Sequence, residues 1–167
     1  MEAVAALKPP GLYWRQICFG VHPTRTLVRV GIWAIVTTFF FHGLMLPIQI
    51  VGSSMAPTYQ SGSMNLINKV SYLRHDPRRG DIIALSTTDE LLLKRIVALP
   101  GETVQINKGV LEVNGKPVHD QFSNDFIPYT TDPWVLSKAE YFVIGDNRKI
   151  SVFGPISREQ IVGKVVF

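Results

Sequence analysis

The sequence predicts a mainly β protein in which an N-terminal transmembrane helix precedes a largely antiparallel β-sheet domain. The helix is predicted by an apolar run over residues 30–51. The sheet is predicted by the short segments of alternating polarity after this run, which are separated by turns containing glycine and proline. The 167 residues suffice for one ordinary domain and a short extra element. We therefore divide the chain into an N-terminal segment (1–29), a membrane anchor (30–49) and a β domain (50–167).

The apolar run is long enough to cross a bilayer. Residues 30–48 contain no Asp, Glu, Lys or Arg, and at about 1.5 Å per residue they nearly cover the roughly 30 Å hydrocarbon core. Pro47 marks the expected end of the helix. The alternatives are a buried core helix, which is usually shorter and amphipathic, and a cleavable signal peptide, whose apolar region has about 7–15 residues. Arginines precede the run, so the positive-inside rule predicts a cytoplasmic N-terminal segment and a β domain on the opposite side.

The formal net charge of +4 does not point to nucleic acid. The basic residues are scattered along the chain, and neither a zinc-finger spacing nor an aromatic and basic RNA motif is present. The charge therefore indicates membrane orientation and surface solubility, and we expect no nucleic-acid partner. Cys18 is the only cysteine, so no intrachain disulfide can form.

The region after the anchor contains eight segments with the polarity of strands. Asn114 and Gly115, between two of them, are the preferred pair for a type I′ hairpin turn. Residues 119–138 show little periodicity and predict a surface loop, and no helix longer than a turn or two is predicted. The predicted strands lie at residues 64–70, 81–85, 91–99, 104–106, 110–113, 116–118, 141–144 and 161–167.

A serine and a lysine in this region have the surroundings that a Ser/Lys hydrolase needs. Ser54 follows the apolar run in a segment rich in small residues, and Lys94 lies among apolar residues. A serine supplies a nucleophilic oxygen, and a lysine kept neutral by apolar surroundings accepts its proton. Since side chains alternate along a strand, Leu92 and Ile96 are expected on the face of Lys94. The less specific interpretations are a flexible linker at Ser54 and a solvated or ion-paired lysine.

Other catalytic patterns are absent from the sequence. It contains no Gly-x-Ser-x-Gly, Ser-x-x-Lys or His-Glu-x-x-His motif, and its four histidines are too dispersed to predict a metal site. We expect no metal and no other cofactor. A Ser-His-Asp triad using His75-Asp76 or His119-Asp120 stays open as an alternative, although both pairs lie beside turn residues, where such pairs are usually solvated.

Four segments resemble the ordered motifs of type I signal peptidases. They are Ser-Met-Ala-Pro-Thr at 54–58, Arg-Gly-Asp-Ile-Ile at 79–83, Lys-Arg-Ile-Val-Ala-Leu-Pro-Gly-Glu at 94–102 and Gly-Asp-Asn-Arg at 145–148. The resemblance implies the antiparallel β fold of that family, with its active site at the membrane surface and in contact with lipid. It also implies that Ser54 is the nucleophile and Lys94 the general base. The expected reaction is cleavage of signal peptides from exported preproteins after small-x-small motifs such as Ala-x-Ala.

The resemblance assigns softer roles to further residues. The Ser54 backbone N–H is the expected oxyanion donor, while Gly52 stands where some family members carry a second, hydroxyl donor. Residues near the substrate pockets are Ile50, Met55, Tyr59 and Leu93, for which ordinary core packing is the alternative. Five residues resemble those that support the site in family members: Gly145, Asp146, Asn147, Arg148 and Ser151. Of these, Ser151 resembles a serine that orients the lysine.

The last motif departs from the family pattern. Family members usually continue after this motif with an Asp-Ser-Arg stretch, whereas here Val152, Phe153 and Gly154 follow Ser151 directly. The alignment of Ser151 and its support of Lys94 are therefore left open. A catalytically silent, anchored β domain that binds exported chains is one alternative function. A Ser/Lys self-cleaving regulator, similar to the SOS-response repressors, is another, although the apolar run argues against it.

The compartment is predicted from the same resemblance. Residues 100–104 and 113–116 resemble bacterial enzymes more than mitochondrial inner-membrane peptidases. This favours the plasma membrane, with a single-pass anchor and the β domain on the extracytoplasmic side. The alternative is the mitochondrial inner membrane, with the β domain facing the intermembrane space.

Overall fold

A computed structural model describes residues 23–88, 90–118 and 127–166 of the chain. The chain divides into two compact units, Met1–His42 and Gly43–Phe167. All described residues of the first unit lie in helix α1 (Pro23–Gly43). The described part of the second unit contains strands β1–β11 and a 3-10 helix (Arg158–Gln160).

Helix α1 has the length and composition of a membrane span. Its residues Thr24–Gly43 have a mean hydropathy of 1.3, and by length and composition this stretch is able to cross a bilayer. The Thr37 hydroxyl donates to the Trp33 carbonyl oxygen at 2.8 Å, so this polar group is satisfied within the helix. The anchor predicted from the sequence therefore corresponds to a helix, although the two differ in their bounds.

The helix begins and ends earlier than the predicted anchor at residues 30–49. It begins at Pro23, since proline fits the first turn of a helix, where its missing N–H has no intrahelical acceptor. It ends at Gly43, and Met45–Gln49 form strand β1 instead of the last helical turns. Pro47 is compatible with this strand because β1 lies at the edge of its sheet, where one side of the backbone needs no partner.

The second unit is built from two antiparallel sheets, which confirms the predicted fold class. The larger sheet has the strand order β1-β2-β11-β3-β4-β9-β10, and the smaller has the order β7-β6-β5-β8. The strands of the larger sheet are β1 (Met45–Gln49), β2 (Met64–Asn68), β3 (Ile82–Ser86), β4 (Leu91–Ala98), β9 (Glu140–Ile144), β10 (Gly154–Ser157) and β11 (Ile161–Val165). Those of the smaller sheet are β5 (Thr103–Asn107), β6 (Val110–Val113), β7 (Lys116–Pro117) and β8 (Trp134–Val135).

All eight predicted strands are present, and three observed strands were not predicted. Asn114 and Gly115 have φ angles of 52° and 72°, so the predicted turn between β6 and β7 has the positive φ angles that a type I′ turn requires. The unpredicted strands are β1, β8 and β10. Residues 119–126 of the predicted loop at 119–138 lie outside the described part. The remaining residues, 127–138, contain the short strand β8.

Two core clusters position the site. One, formed by residues of both sheets, includes Val97, Ile106 and Phe142. Another includes Met55, which directly follows Ser54, and Leu93, which directly precedes Lys94. Because each of these neighbours is buried in the same cluster, the two candidate catalytic residues are held against one part of the core.

Candidate active site

Ser54 lies in a compact turn that follows strand β1. The Ile50 N–H donates to the Ser63 carbonyl oxygen at 2.9 Å, and the Gly62 N–H donates to the Ile50 carbonyl oxygen at 2.7 Å, which closes the loop. Gly52 has a φ of 98°, a conformation that glycine adopts without strain. The side chain of the next residue, Met55, is buried, whereas Ser54 itself is only partly covered. The turn therefore presents the Ser54 side chain from a fixed backbone.

The segment after strand β9 holds this turn in place. The Asn147 backbone N–H donates to the Ser54 carbonyl oxygen at 3.0 Å, and the Asn147 side-chain amide donates to the Ser53 carbonyl oxygen at 3.2 Å. Gly145 lies close to the backbone of the Ser54 turn and to Ser151. A Cβ added to it would be under 3.0 Å from both the Ser54 carbonyl oxygen and Ser151 Oγ. Only glycine fits between these two oxygens without displacing them.

Lys94 is buried on strand β4, with a relative exposure of 5%. Lys94 lines a cavity of about 150 Å³, and the other residues lining that cavity are apolar: Leu85, Leu92, Val143, Val152, Phe153, Gly154, Pro155 and Ile156. Leu92 and Ile96 belong to one cluster, as the alternation along the strand predicts. Burial lowers the pKa of Lys94 below its ordinary value of 10.5, and the charge of Glu90 acts in the opposite direction.

Ser151 contacts the amine of Lys94. Lys94 Nζ donates to Ser151 Oγ at 3.3 Å, and the Gly145 N–H donates to the same oxygen at 2.7 Å. The Ser151 hydroxyl in turn lies 3.2 Å from the Val152 carbonyl oxygen, to which it donates. The shortened final motif therefore still places a serine hydroxyl against the lysine. The sequence alone had left open whether Ser151 supports Lys94.

The structure brings the turn of Ser54 and the amine of Lys94 close to the same space beside Gly145. The Ser54 carbonyl oxygen and the Ser151 hydroxyl both border the space beside Gly145, and Lys94 Nζ contacts that hydroxyl. Among the described residues, no hydrogen bond joins the Ser54 hydroxyl to Lys94 Nζ, and the two side chains line adjacent cavities. Hydrogen bonds between catalytic groups often tighten only when substrate is bound.

Asp146 connects the strand of Lys94 to the turn of Ser54. It is fully buried and accepts hydrogen bonds from Arg95 Nε and Nη2, both at 2.6 Å. It also accepts one from the Thr58 hydroxyl at 2.5 Å. Arg95 adjoins Lys94, and Thr58 lies in the turn of Ser54, so one carboxylate fixes both segments.

Arg95 and Thr58 are support residues that the sequence analysis did not single out. Their only signal in the sequence was membership of the same motifs as Lys94 and Ser54. Arg148 was among the predicted supports. It is almost fully buried, and its Nε donates to the Gly145 carbonyl oxygen at 3.2 Å.

A groove of about 420 Å³ opens beside Ser54. Three of the four predicted pocket residues line it, together with residues from β1 and β4. Tyr59 instead packs against the cluster of Met55 and Leu93, where burial raises its pKa. The lining residues are Ile48, Gln49, Ile50, Val51, Ser54, Met55, Glu90, Leu91, Leu92 and Leu93.

His75 and Asp76, the histidine-aspartate pair within the described residues, are not among the residues that line this groove. The exposed His75 contacts Tyr72 with ring centroids 5.8 Å apart, and its Nδ1 lies 3.2 Å from the Asp76 carbonyl oxygen. His119 and Asp120 fall outside the described residues. His75 therefore has surface contacts of its own, and the triad hypothesis gains no geometric support from it.

Comparison with known proteins places the chain in a family. The sequence model of the family described as "Signal peptidase, peptidase S26" matches residues 24–167. The chain is 32% identical over 169 residues to a probable signal peptidase I-2 of Synechocystis sp., covering 93% of this chain and 73% of that protein. It is 34% identical over 143 residues to signal peptidase I V of Bacillus subtilis, covering 74% and 85%.

A plant protein is similar as well. Thylakoidal processing peptidase 1, chloroplastic, of Arabidopsis thaliana is 32% identical over 149 residues, which are 79% of this chain and 44% of that protein. The match to the family model extends from helix α1 to the C-terminal residue of the given sequence and includes all four motifs. The chain therefore belongs to the signal peptidase family, peptidase S26, and is a serine peptidase of the signal peptidase I type.

Proposed function

We propose that the protein cleaves signal peptides from exported preproteins with a Ser54/Lys94 dyad, after small-x-small motifs such as Ala-x-Ala. The observation that carries this proposal is the burial of Lys94 in an apolar cavity, with its amine held by Ser151 next to the turn of Ser54. A lysine in such surroundings loses its proton at a lower pH than a solvated one. It is then able to act as a base.

In the acylation step, Ser54 Oγ attacks the carbonyl carbon of the scissile peptide bond and transfers its proton to Lys94 Nζ. The resulting oxyanion receives a hydrogen bond from the Ser54 backbone N–H. When the C–N bond breaks, the leaving amine takes the proton from Lys94, and the signal peptide remains as an ester on Ser54. In the second step Lys94 removes a proton from water, and the hydroxide attacks the carbonyl carbon of that ester. When the C–O bond to Ser54 breaks, Lys94 returns the proton to Ser54 Oγ and the signal peptide leaves as a carboxylic acid.

Ser151 and Gly145 position the base for these transfers. Because Ser151 Oγ accepts from Lys94 Nζ and from the Gly145 N–H, it fixes the direction of the amine. Nζ of a neutral amine then keeps its lone pair for the proton of Ser54. Asn147 positions the other partner through its two hydrogen bonds to the backbone of the serine turn.

Two strand edges border the groove and suit an extended peptide. Strand β4 pairs with β3 over residues 91–95 but with β9 only from Arg95 onward. On the side of β9, residues 91–94 thus have no strand partner among those described. Strand β1, whose one partner among the described strands is β2, contributes Ile48 and Gln49 to the lining. A substrate backbone bound between these edges is able to satisfy their free N–H and C=O groups.

The apolar walls of the groove support a preference for small side chains. Ile50, Met55 and Leu93 line the groove beside Ser54, and each has a relative exposure of 9% or less. A large substrate side chain has to displace a packed residue here, which is costly in a close-packed core. Alanine and similar residues fit without such displacement.

The membrane assignment is part of the same proposal. We expect α1 to anchor the protein in the plasma membrane, with the β domain on the extracytoplasmic side and close to lipid. The arginines near its start support this orientation. The mitochondrial inner membrane, with the domain in the intermembrane space, is the alternative location. Fractionation combined with protease protection of the intact membrane distinguishes these locations.

A cleavage assay with purified protein tests the function. Wild type in detergent is expected to cleave a preprotein after its small-x-small motif, whereas Ser54→Ala and Lys94→Ala are expected to be inactive although folded. His75→Ala serves as a matched control and is expected to retain activity. Near-normal turnover by either dyad variant would contradict the assignment, and an inactive wild type that still binds preproteins would favour the silent binding domain.

A further inference from the structure

The groove beside Ser54 has a single charged side chain. Of the ten residues that line it, all within the described part of the chain, only Glu90 has an acidic or basic side chain. Its carboxylate is exposed, and none of the ion pairs formed by the described residues involves it. Most of the lining residues are therefore apolar, and Glu90 contributes a carboxylate to them.

The position of Glu90 is fixed by the turn between β3 and β4. The Thr87 N–H and the Thr87 hydroxyl both donate to the Glu90 carbonyl oxygen at 2.9 Å. The Glu90 N–H donates back to the Thr87 hydroxyl at 3.2 Å. Three hydrogen bonds between two residues hold the Glu90 backbone, which fixes the point on the groove from which its side chain extends.

We propose that Glu90 makes the peptidase favour preproteins that carry a lysine or arginine about four residues before the scissile bond. The inference rests on the proposed function, because it concerns the peptide segment that lies in the groove during cleavage. It adds a specificity-determining residue to that function. The dyad itself is not involved in this selection.

The spacing along strand β4 gives the substrate position. Glu90 lies four residues before Lys94 in the sequence, and four residues of extended chain span about 13 Å. A substrate strand running along the same edge advances by the same rise per residue. If its scissile carbonyl lies between Ser54 and Lys94, the side chain beside Glu90 belongs to a residue about four positions away.

The same groove determines the side of the bond on which the basic residue lies. In the proposed function the small residues before the bond occupy the space lined by Ile50, Met55 and Leu93, and Glu90 lines that same space. The basic residue is therefore in the signal peptide, on the amino-terminal side.

A peptide series measures the preference. One small-x-small peptide is made with Lys, Gln or Glu at each position from three to five residues before the bond, and with the same residues at matching positions after it. The full-length protein in detergent is compared with Glu90→Gln, Glu90→Lys and the matched control Glu159→Gln, which removes an exposed charge outside the groove. The readout is the ratio of kcat/KM for the Lys and Gln peptides, which cancels differences in folded fraction.

Wild type and Glu159→Gln are expected to favour Lys over Gln by about two- to fivefold at low salt, the range of an exposed ion pair. In Glu90→Gln the ratio is expected to fall to about one. In Glu90→Lys it is expected to fall below one, and the Glu peptide is expected to be cleaved faster than the Gln peptide. In wild type the preference for Lys is expected to decrease at high salt. Equal ratios in wild type and Glu90→Gln, or a preference only after the bond, would overturn the inference. Absence of Ser54-dependent cleavage of every peptide would instead overturn the proposed function.

Discussion

A methyl group added at Gly145 is expected to damage catalysis far more than folding. Its Cβ would lie under 3.0 Å from the Ser54 carbonyl oxygen and from Ser151 Oγ, whereas ordinary van der Waals contact begins at 3.4 Å. Both oxygens belong to groups that position the proposed dyad. At least one must move, and a displacement of about 1 Å from a reactive geometry costs about 10²-fold in rate. We therefore expect kcat of Gly145→Ala to fall by about 10²-fold or more.

A second glycine provides a control with the same kind of clash. A Cβ at Gly163 would also lie under 3.0 Å from a backbone oxygen, that of Asn68, where strands β11 and β2 pair. Overpacking of this kind costs about 1–3 kcal/mol of stability, and we expect both variants to lose stability in this range. Only Gly145→Ala has its clash at the site.

The assay combines thermal unfolding with kcat for cleavage of a soluble peptide, corrected for the folded fraction. Gly163→Ala is expected to retain kcat to within about threefold, since the residues it clashes with, Asn68 and Ile67, line neither the groove of Ser54 nor the cavity of Lys94. Wild-type kcat in Gly145→Ala, or an equal loss of kcat in both variants, would refute the claim that the space beside Gly145 sets the catalytic geometry.

Two further predictions concern the supports of the site and the anchor. Asp146→Ala leaves the half-buried Arg95 guanidinium without its bidentate partner, so we expect the free energy of unfolding in urea to fall by about 3 kcal/mol, the lower end of the range for a buried pair. The exposed Asp132→Ala is expected to change it by less than about 0.5 kcal/mol, and equal losses would show that the Asp146 network adds no stability. Removal of residues 1–42 is expected to spare cleavage of soluble peptides but to reduce cleavage of membrane-inserted preproteins, because the anchor raises the local concentration of enzyme at the bilayer. Removal of residues 1–49 is expected to impair both activities, since it deletes β1; equal peptide cleavage by the two truncations would contradict the role of β1 as a groove wall.

The sequence predicted most strands because alternation and turn residues are local signals. It missed β1 for a physical reason: Met45, Leu46 and Ile48 are as apolar as the helix before them, so hydropathy alone extends the anchor through the strand. The boundary becomes visible only in the pairing of β1 with β2. Strand β10 contains Gly154 and Pro155, which usually indicate a turn.

The site was predictable as far as local motifs reach. The burial of Lys94 followed from its apolar neighbours, and the face that it shares with Leu92 followed from the period of a strand. The contacts of Asp146 were not predictable, because they join residues that are 51 and 88 positions away in the chain. Such distances are closed by the packing of β4 against β9, which no local pattern records.

The pH dependence of kcat/KM on a soluble peptide tests the central claim most directly, because this quantity reports the ionisation of groups in the free enzyme. Only the neutral amine of Lys94 is able to accept the proton of Ser54. Burial lowers the pKa of this amine below 10.5, so we predict that kcat/KM rises with pH through an apparent pKa below that value and then levels off. Activity that increases only as the pH approaches 10.5 would contradict the assignment of Lys94 as a desolvated base.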